Sequence, residues 1–193
     1  MSDAPPDISA AQVRRATPGD SAAISDIYRP WVEDHWASFE QTAPDTGEIA
    51  RRIAAAGEAY PWLAAVSPDG SILGYGYASP HRARASYRTS VDVAIYLAAA
   101  AQGQGLGRRL YATLLDLLTR QNFVTAFGGI ALPNPASLAL HRAMGFTEMA
   151  RYTNVGFKHG CWRDTVWMQR PLATPQTPPA PLLPVPDIAE TAP

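Results

Sequence analysis

With 193 residues and a mass of 20.8 kDa, the chain has room for one domain with tails and is too short for two full ones. Hydrophobic residues at 47% against charged residues at 17% exclude wholesale disorder and supply a core. Basic residues number 16 and acidic residues 17, a net charge of -1, so no global field draws the chain to nucleic acid or to an anionic membrane, and a polyanionic ligand must be held locally.

Cys161 is the only cysteine, which excludes an internal disulfide and a thiolate zinc site, and His35, His81, His141 and His159 are dispersed, so no metal is expected. The first residues lack a signal-peptide core, and no run approaches the roughly 18 apolar residues that span a bilayer. A soluble protein of the cytoplasm is expected.

In chain order, residues 13–16 read as a short strand, and Asp20 is placed to cap a helix burying Ala23, Ile24, Ile27, Tyr28 and Trp31 at three-and-four spacing. Asp45 followed by Glu48 has the form of a capping box, opening a helix with Ile49, Ile53 and Ala56 inward. Residues 62–66 and 72–78 make a hairpin around Ser67-Pro68-Asp69-Gly70. Over residues 90–97, Val91, Val93, Ile95 and Leu97 share one strand face, and Asp92, Ala94 and Tyr96 the other, so one carboxylate interrupts an apolar strand. Leu106, Leu110, Leu114 and Leu118 recur through a helix ending near Asn122, and residues 124–132 form a further strand. Asn134 as N-cap, Pro135 at the first helical position and Gly145 past the end predict a short helix over 135–144. Residues 148–156 and 162–169 form a last hairpin. Of 18 prolines, 8 follow Arg170, so residues 173–193 are expected as an extended, disordered tail and residues 1–12 as a second tail, leaving 13–172 as the folded domain.

The stretch Gln102-Gly103-Gln104-Gly105-Leu106-Gly107-Arg108 lies between a strand and a helix. Glycines let such a backbone curl and present successive N–H groups at the positive end of the helix dipole, an oxyanion cradle suited to a diphosphate. It is not a P-loop, because Arg108 and Arg109 stand where a lysine and a hydroxyl residue are required, and the glycine spacing also departs from the dinucleotide fingerprint.

Gln102, Gly105 and Gly107 fit the acetyl-CoA loop pattern Q/R-x-x-G-x-G/A, and the run from Asn134 through Ser137 and His141 to Gly145-Phe146 fits a second signature; on these the chain resembles the GCN5-related N-acetyltransferases. Tyr60-Pro61-Trp62-Leu63, Arg82-Ala83-Arg84, Leu132-Pro133-Asn134 and Gly156 to Trp162 are similar to the group that acetylates phosphinothricin and methionine sulfoximine. The resemblance implies an α/β fold, a mixed and mostly antiparallel sheet of six or seven strands flanked by helices, with acetyl-CoA in a V-shaped opening. It further implies a homodimer and an acceptor that is a small glutamate- or methionine-like amino acid.

The implied cofactor contacts are Ala94, Ile95, Tyr96 and Leu97, then Gln102, Gly103, Gln104, Gly105, Leu106, Gly107 and Arg108, then Asn134 and Ser137. An ammonium has no lone pair, so thioester aminolysis needs a proton acceptor. Asp92 is the candidate, one methylene shorter than the glutamate the group carries there and so expected to work through a water, with pairing to Arg82, Arg84 or Arg88 as the purely structural alternative. His141 stands where the family often places a tyrosine that protonates the leaving thiolate; a packed histidine is the alternative. Arg82 and Arg84 are candidates to grip a carboxylate, and Phe39 and Glu40 to line the acceptor pocket. Another amine acceptor, or an acyl-CoA sensor without catalysis, remains open.

Overall fold

The computed structural model describes residues 8–188. Seven strands form one sheet in the order β1-β2-β3-β4-β5-β7-β6, from β1 (Gln12–Arg15) and β2 (Trp62–Val66) through β3 (Ile72–Pro80), β4 (Ser90–Leu97) and β5 (Thr125–Ala131) to the hairpin of β6 (Thr147–Lys158) and β7 (Cys161–Pro171). All pairings are antiparallel except β4 with β5.

Helices cover both faces. On one, α1 (Ser21–Glu33) and α2 (Thr46–Ala56) bury Ile24, Tyr28, Val32, Ile49 and Ile53 against Trp62 and Tyr75. On the other, α3 (Leu106–Arg120) sinks Leu106, Leu110, Leu114, Leu117 and Leu118 completely, and α4 (Pro135–Ala143) packs Leu138 and Leu140 beside it. Truncating one of these leucines to alanine removes about 2–5 kcal/mol.

Several local expectations are corrected. Asp20 does not cap α1: its carboxylate turns back to the Thr17 N–H and the Arg14 guanidinium. Asp45 does cap α2 through the Glu48 N–H, but Glu48 bonds Arg51 and Arg52, so only half a capping box forms. Asn134 caps α4 as expected, accepting from the Ser137 N–H at 3.1 Å.

Neither tail is free where it is described. Ile8 and Ala11 are buried, their carbonyls held by Arg109. At the other end Leu182, Val185 and Ile188 pack on the α3 side of the core, and the backbone N–H groups of Leu183 and Val185 donate to the carbonyls of Gln121 and Glu58. The expectation of a disordered tail is therefore corrected for residues 173–188, because apolar side chains among the prolines find a surface to cover; residues 1–7 and 189–193 lie outside the described residues.

Candidate active site

Strands β4 and β5 pair in register only from Ser90 to Asp92; beyond that β4 continues to Leu97 against β3 alone. The Ala98 N–H donates to Leu73 on β3, so strand alternation turns the polar backbone of Leu97, Ile95 and Val93 to the open side, and the Leu97 carbonyl there accepts the Trp31 indole N–H at 3.3 Å. The backbone N–H groups that face the parting are thus those of Val93, Ile95 and Leu97, and not those of Ala94 or Tyr96.

Two cavities, about 550 and 650 Å³, meet at this parting and share Ala37, Val93, Ala94, Tyr96, Gly129 and Ala131. The first runs from β4 to the N-terminus of α3 and to α4, and every cofactor candidate lines it except Gln104 and Leu106. Leu106 faces the core, fully buried, and the Gln104 amide folds back onto the Ala100 carbonyl at 2.8 Å. Gly105 caps α3 in the left-handed region at φ 85°, with Gly103 at φ 73°, and a side chain at either would meet open space. None of the N–H groups from Gly103 to Gly107 is donated to another backbone carbonyl among the described residues. Bare amides at a helix N-terminus, on a cavity of this size, fit the diphosphate of acetyl-CoA.

His141, expected as the proton donor to the leaving thiolate, lines the cofactor cavity with its ring held by neighbours. It is buried over Gly128, whose missing Cβ leaves the space the imidazole fills. The Ser137 carbonyl, 2.8 Å from Nδ1, can only accept, so Nδ1 carries the proton and Nε2 accepts from the Tyr111 hydroxyl at 2.8 Å. Burial also lowers its pKa. With both nitrogens engaged, the imidazole fastens α4 to α3.

The second cavity opens on the other side of the parting and is lined by Phe39, Glu40, Asp92, Thr165 and Trp167. The Phe39 ring occupies the space a side chain at Gly156 would need. Glu40 is not open to an ammonium: Arg52 binds both its oxygens, at 2.8 and 3.0 Å, the Tyr28 hydroxyl donates to one of them, and the guanidinium holds its pKa down. Arg82 and Arg84 line neither cavity. Arg82 stands 5.9 Å over the Trp167 ring, at the rim, and Arg84 is exposed before a 3-10 turn at Ala85–Tyr87.

Asp92 does line the acceptor cavity, and its partner is His81, 2.6 Å from Nδ1 to Oδ1, instead of an arginine. Burial raises the carboxyl pKa; the His81 hydrogen bond and the charge of Arg82 oppose the rise. Sequence reading missed His81, the orphaned hydroxyl of Thr165, and Lys158, which is buried under the Ser38–Glu40 loop. Only Lys158 left a local signal, a charge in an otherwise apolar hairpin end. Among the described residues no His, Cys, Asp or Glu cluster could hold a metal ion, and no helix is long and apolar enough to cross a membrane.

Residues 13–167 match the family model described as an acetyltransferase (GNAT) domain. The phosphinothricin N-acetyltransferase of Streptomyces coelicolor is 36% identical, over 86% of this chain and 99% of its own length. The L-methionine sulfoximine/L-methionine sulfone acetyltransferase of Salmonella typhimurium is 34% identical, over 81% of this chain and 92% of its own. Among solved structures, a GNAT superfamily phosphinothricin acetyltransferase from Sinorhizobium meliloti in complex with AcCoA superimposes with a TM-score of 0.81 at 39% identity, covering 84% of this chain and 88% of that one.

Proposed function

From a chain that belongs to the GNAT acetyltransferases, and so is an acetyl-CoA-dependent N-acetyltransferase, we propose a narrower activity: acetylation of the α-amine of a small glutamate- or methionine-like amino acid, of the phosphinothricin, methionine sulfoximine or methionine sulfone type. The observation that carries this reading is the meeting of two cavities where β4 leaves β5, one with the amide cradle and one with Asp92. Acetyl-CoA supplies the activated acetyl group. Residues Gly103 to Gly107 hold its diphosphate, and the N–H groups of Val93, Ile95 and Leu97 face the oxygen that gains charge. Asp92 takes a proton from the incoming ammonium, directly or through a water; the amine's second proton balances the one gained by the CoA sulfur. A polyamine is disfavoured, because Glu40 is neutralised by Arg52 and Arg82 stands at the rim.

The Tyr111–His141 pair keeps the Asn134 end of α4 on the cofactor cavity. A homodimer is supported by the edge strand β6, where Met149, Tyr152, Val155 and Phe157 are exposed beside Trp162 of β7. A reducing, cytoplasmic setting is supported by the lone, exposed Cys161.

Thiol release measured over the three analogues, plain amino acids and polyamines tests the substrate class; faster turnover of polyamines overturns it. Acetyl-CoA raises the melting temperature of the parent protein and does not raise that of Gly105→Asp, whose carboxylate occupies the cradle. An equal rise in both removes the cradle assignment. Asp92→Asn keeps that rise and loses most of the turnover, and undiminished turnover removes Asp92 as the base.

A further inference from the structure

Asp92 has two carboxylate oxygens and a single side-chain partner. His81 Nδ1 lies 2.6 Å from Oδ1, and the imidazole is itself fixed, stacked on Phe127 with ring centroids 4.2 Å apart and an interplanar angle of 18°. Its edge meets Trp167 at 5.9 Å and Tyr87 at 6.2 Å. The ring is therefore held in one orientation from β5, β7 and the link between β3 and β4. Asp92 lines the acceptor cavity, whereas His81 does not. Its ring stands behind the carboxylate, only 13% exposed.

We propose that His81 is the positioning residue of the catalytic base: by donating Nδ1–H to Oδ1 it fixes the Asp92 carboxylate and keeps it ionised, so that Oδ2 is the oxygen presented to the acceptor amine. The inference rests on the reading of Asp92 as the base. A short carboxylate on a half-buried strand has two difficulties, reach and charge, and one hydrogen bond addresses both. It removes the rotation about χ2 that would turn the carboxylate away, and it favours the anion in a site where burial raises the carboxyl pKa. The proton taken from the ammonium then rests on Asp92 Oδ2 until solvent removes it, while the Nδ1–H of His81 stays on Oδ1. No other group is required for the balance.

Arg82 follows His81 and favours the Asp92 anion; Tyr77 of β3 feels the Asp92 charge; Tyr87 lies against the His81 ring; Glu40, bound by Arg52, shares the cavity with Tyr28, Tyr96 and Tyr152. The acid side of the activity profile is assigned to Asp92 through its hydrogen bond with His81.

The test is the pH dependence of kcat/KM for three replacements of His81. His81→Asn places an amide N–H near the position of Nδ1, His81→Gln places it beyond, and His81→Phe keeps only the ring that stacks on Phe127. Asn retains the parental acid limb. Gln and Phe shift it to higher pH by about one unit, so that relative to the parent they lose up to about tenfold more activity on the acid limb than on the plateau. The sign follows from the lost hydrogen bond: without it the carboxyl stays protonated to higher pH, and the protonated form is no base. Acetyl-CoA still raises the melting temperature of each variant, because the cradle is untouched. A loss of activity equal at all pH values in Gln and Phe marks a packing residue and overturns the proposal, as does an Asn variant that follows Gln. If Phe does not fold, the Asn and Gln pair decides. Asp92→Asn separates the two readings: with turnover lost there but the acid limb of the Gln variant unmoved, the base stands and His81 falls.

Discussion

The Lys158 ammonium lies 2.8 Å from the Ser38 carbonyl oxygen, which ties the end of β6 to the loop that roofs the acceptor cavity. A second donor from the same ammonium meets the Glu40 carbonyl, and the side chain is buried, which pulls its pKa below the ordinary lysine value. Glu40 in turn is clamped by Arg52 and Tyr28. Loop 38–40 is thus held from β6, α1 and α2 at once, and Phe39 is placed by it.

Lys158→Met removes the ammonium and leaves two carbonyls without it, at a cost of about 1–3 kcal/mol in stability. The expected kinetic consequence is selective. KM for the acceptor rises several-fold, and the melting-temperature increase given by acetyl-CoA is unchanged, because Ser38, Phe39 and Glu40 line the acceptor cavity and not the cofactor cavity. A variant in which both binding events weaken equally refutes the loop assignment.

Asp20 gives a prediction in pH. Its hydrogen bonds from Arg14, at 2.7 and 2.8 Å, lower its pKa to about 2, against burial, and Arg14 is 44% exposed. A lowered folded-state pKa means stability that is present at neutral pH and is lost as pH falls from about 4 through about 2. Discounted for that exposure, the contribution is on the order of 1–2 kcal/mol. The difference in melting temperature between the parent and Asp20→Asn should be full at pH 7, shrink as pH falls below about 4 and close only below about pH 2; a gap as large at pH 2 as at pH 7 would show that charge is not its origin.

The parts of the site written in contiguous residues were legible. Three glycines before an amphipathic helix, and Asn134-Pro135 before a short one, act through local backbone geometry, and both open onto the cofactor cavity. What escaped depends on elements meeting. His81 and Asp92 are 11 residues apart across the turn between β3 and β4, and neither carries a mark of the other. The burial of His141 is decided by Tyr111, 30 residues earlier on α3. The Pro-rich tail did carry a signal that composition hid: Leu182, Val185 and Ile188 recur every third residue, which on a polyproline II helix of three residues per turn aligns them on one edge.

That edge makes the tail part of the domain. Val185 is 6% exposed, and Leu183 exchanges bonds with Gln121, whose N–H2 also reaches Ala59. Val185→Ala is expected to cost about 1–2 kcal/mol, read as a lowered melting temperature, while turnover at 25 °C stays near the parental value because no tail residue lines either cavity. An unchanged melting temperature would mean the segment is not docked in solution.

Thr165 poses the opposite case, a residue whose stability and activity should move apart. Its hydroxyl is buried without a partner among the described residues, and the residue, 8% exposed, lines the acceptor cavity two positions before Trp167 on β7. An orphaned hydroxyl costs on the order of 1 kcal/mol, so Thr165→Val, nearly the same shape, should raise the melting temperature of the free protein. A site retains such a group when something bound there completes the hydrogen bond, and here that would be a polar atom of the acceptor. The valine variant is therefore expected to raise the acceptor KM by about fivefold to tenfold, one hydrogen bond being worth about 1 kcal/mol or slightly more. The increase should be largest for acceptors whose side chain carries oxygen and small for an apolar amino acid of the same length. Equal KM values for the parent and the valine variant across both classes would leave the hydroxyl outside substrate recognition.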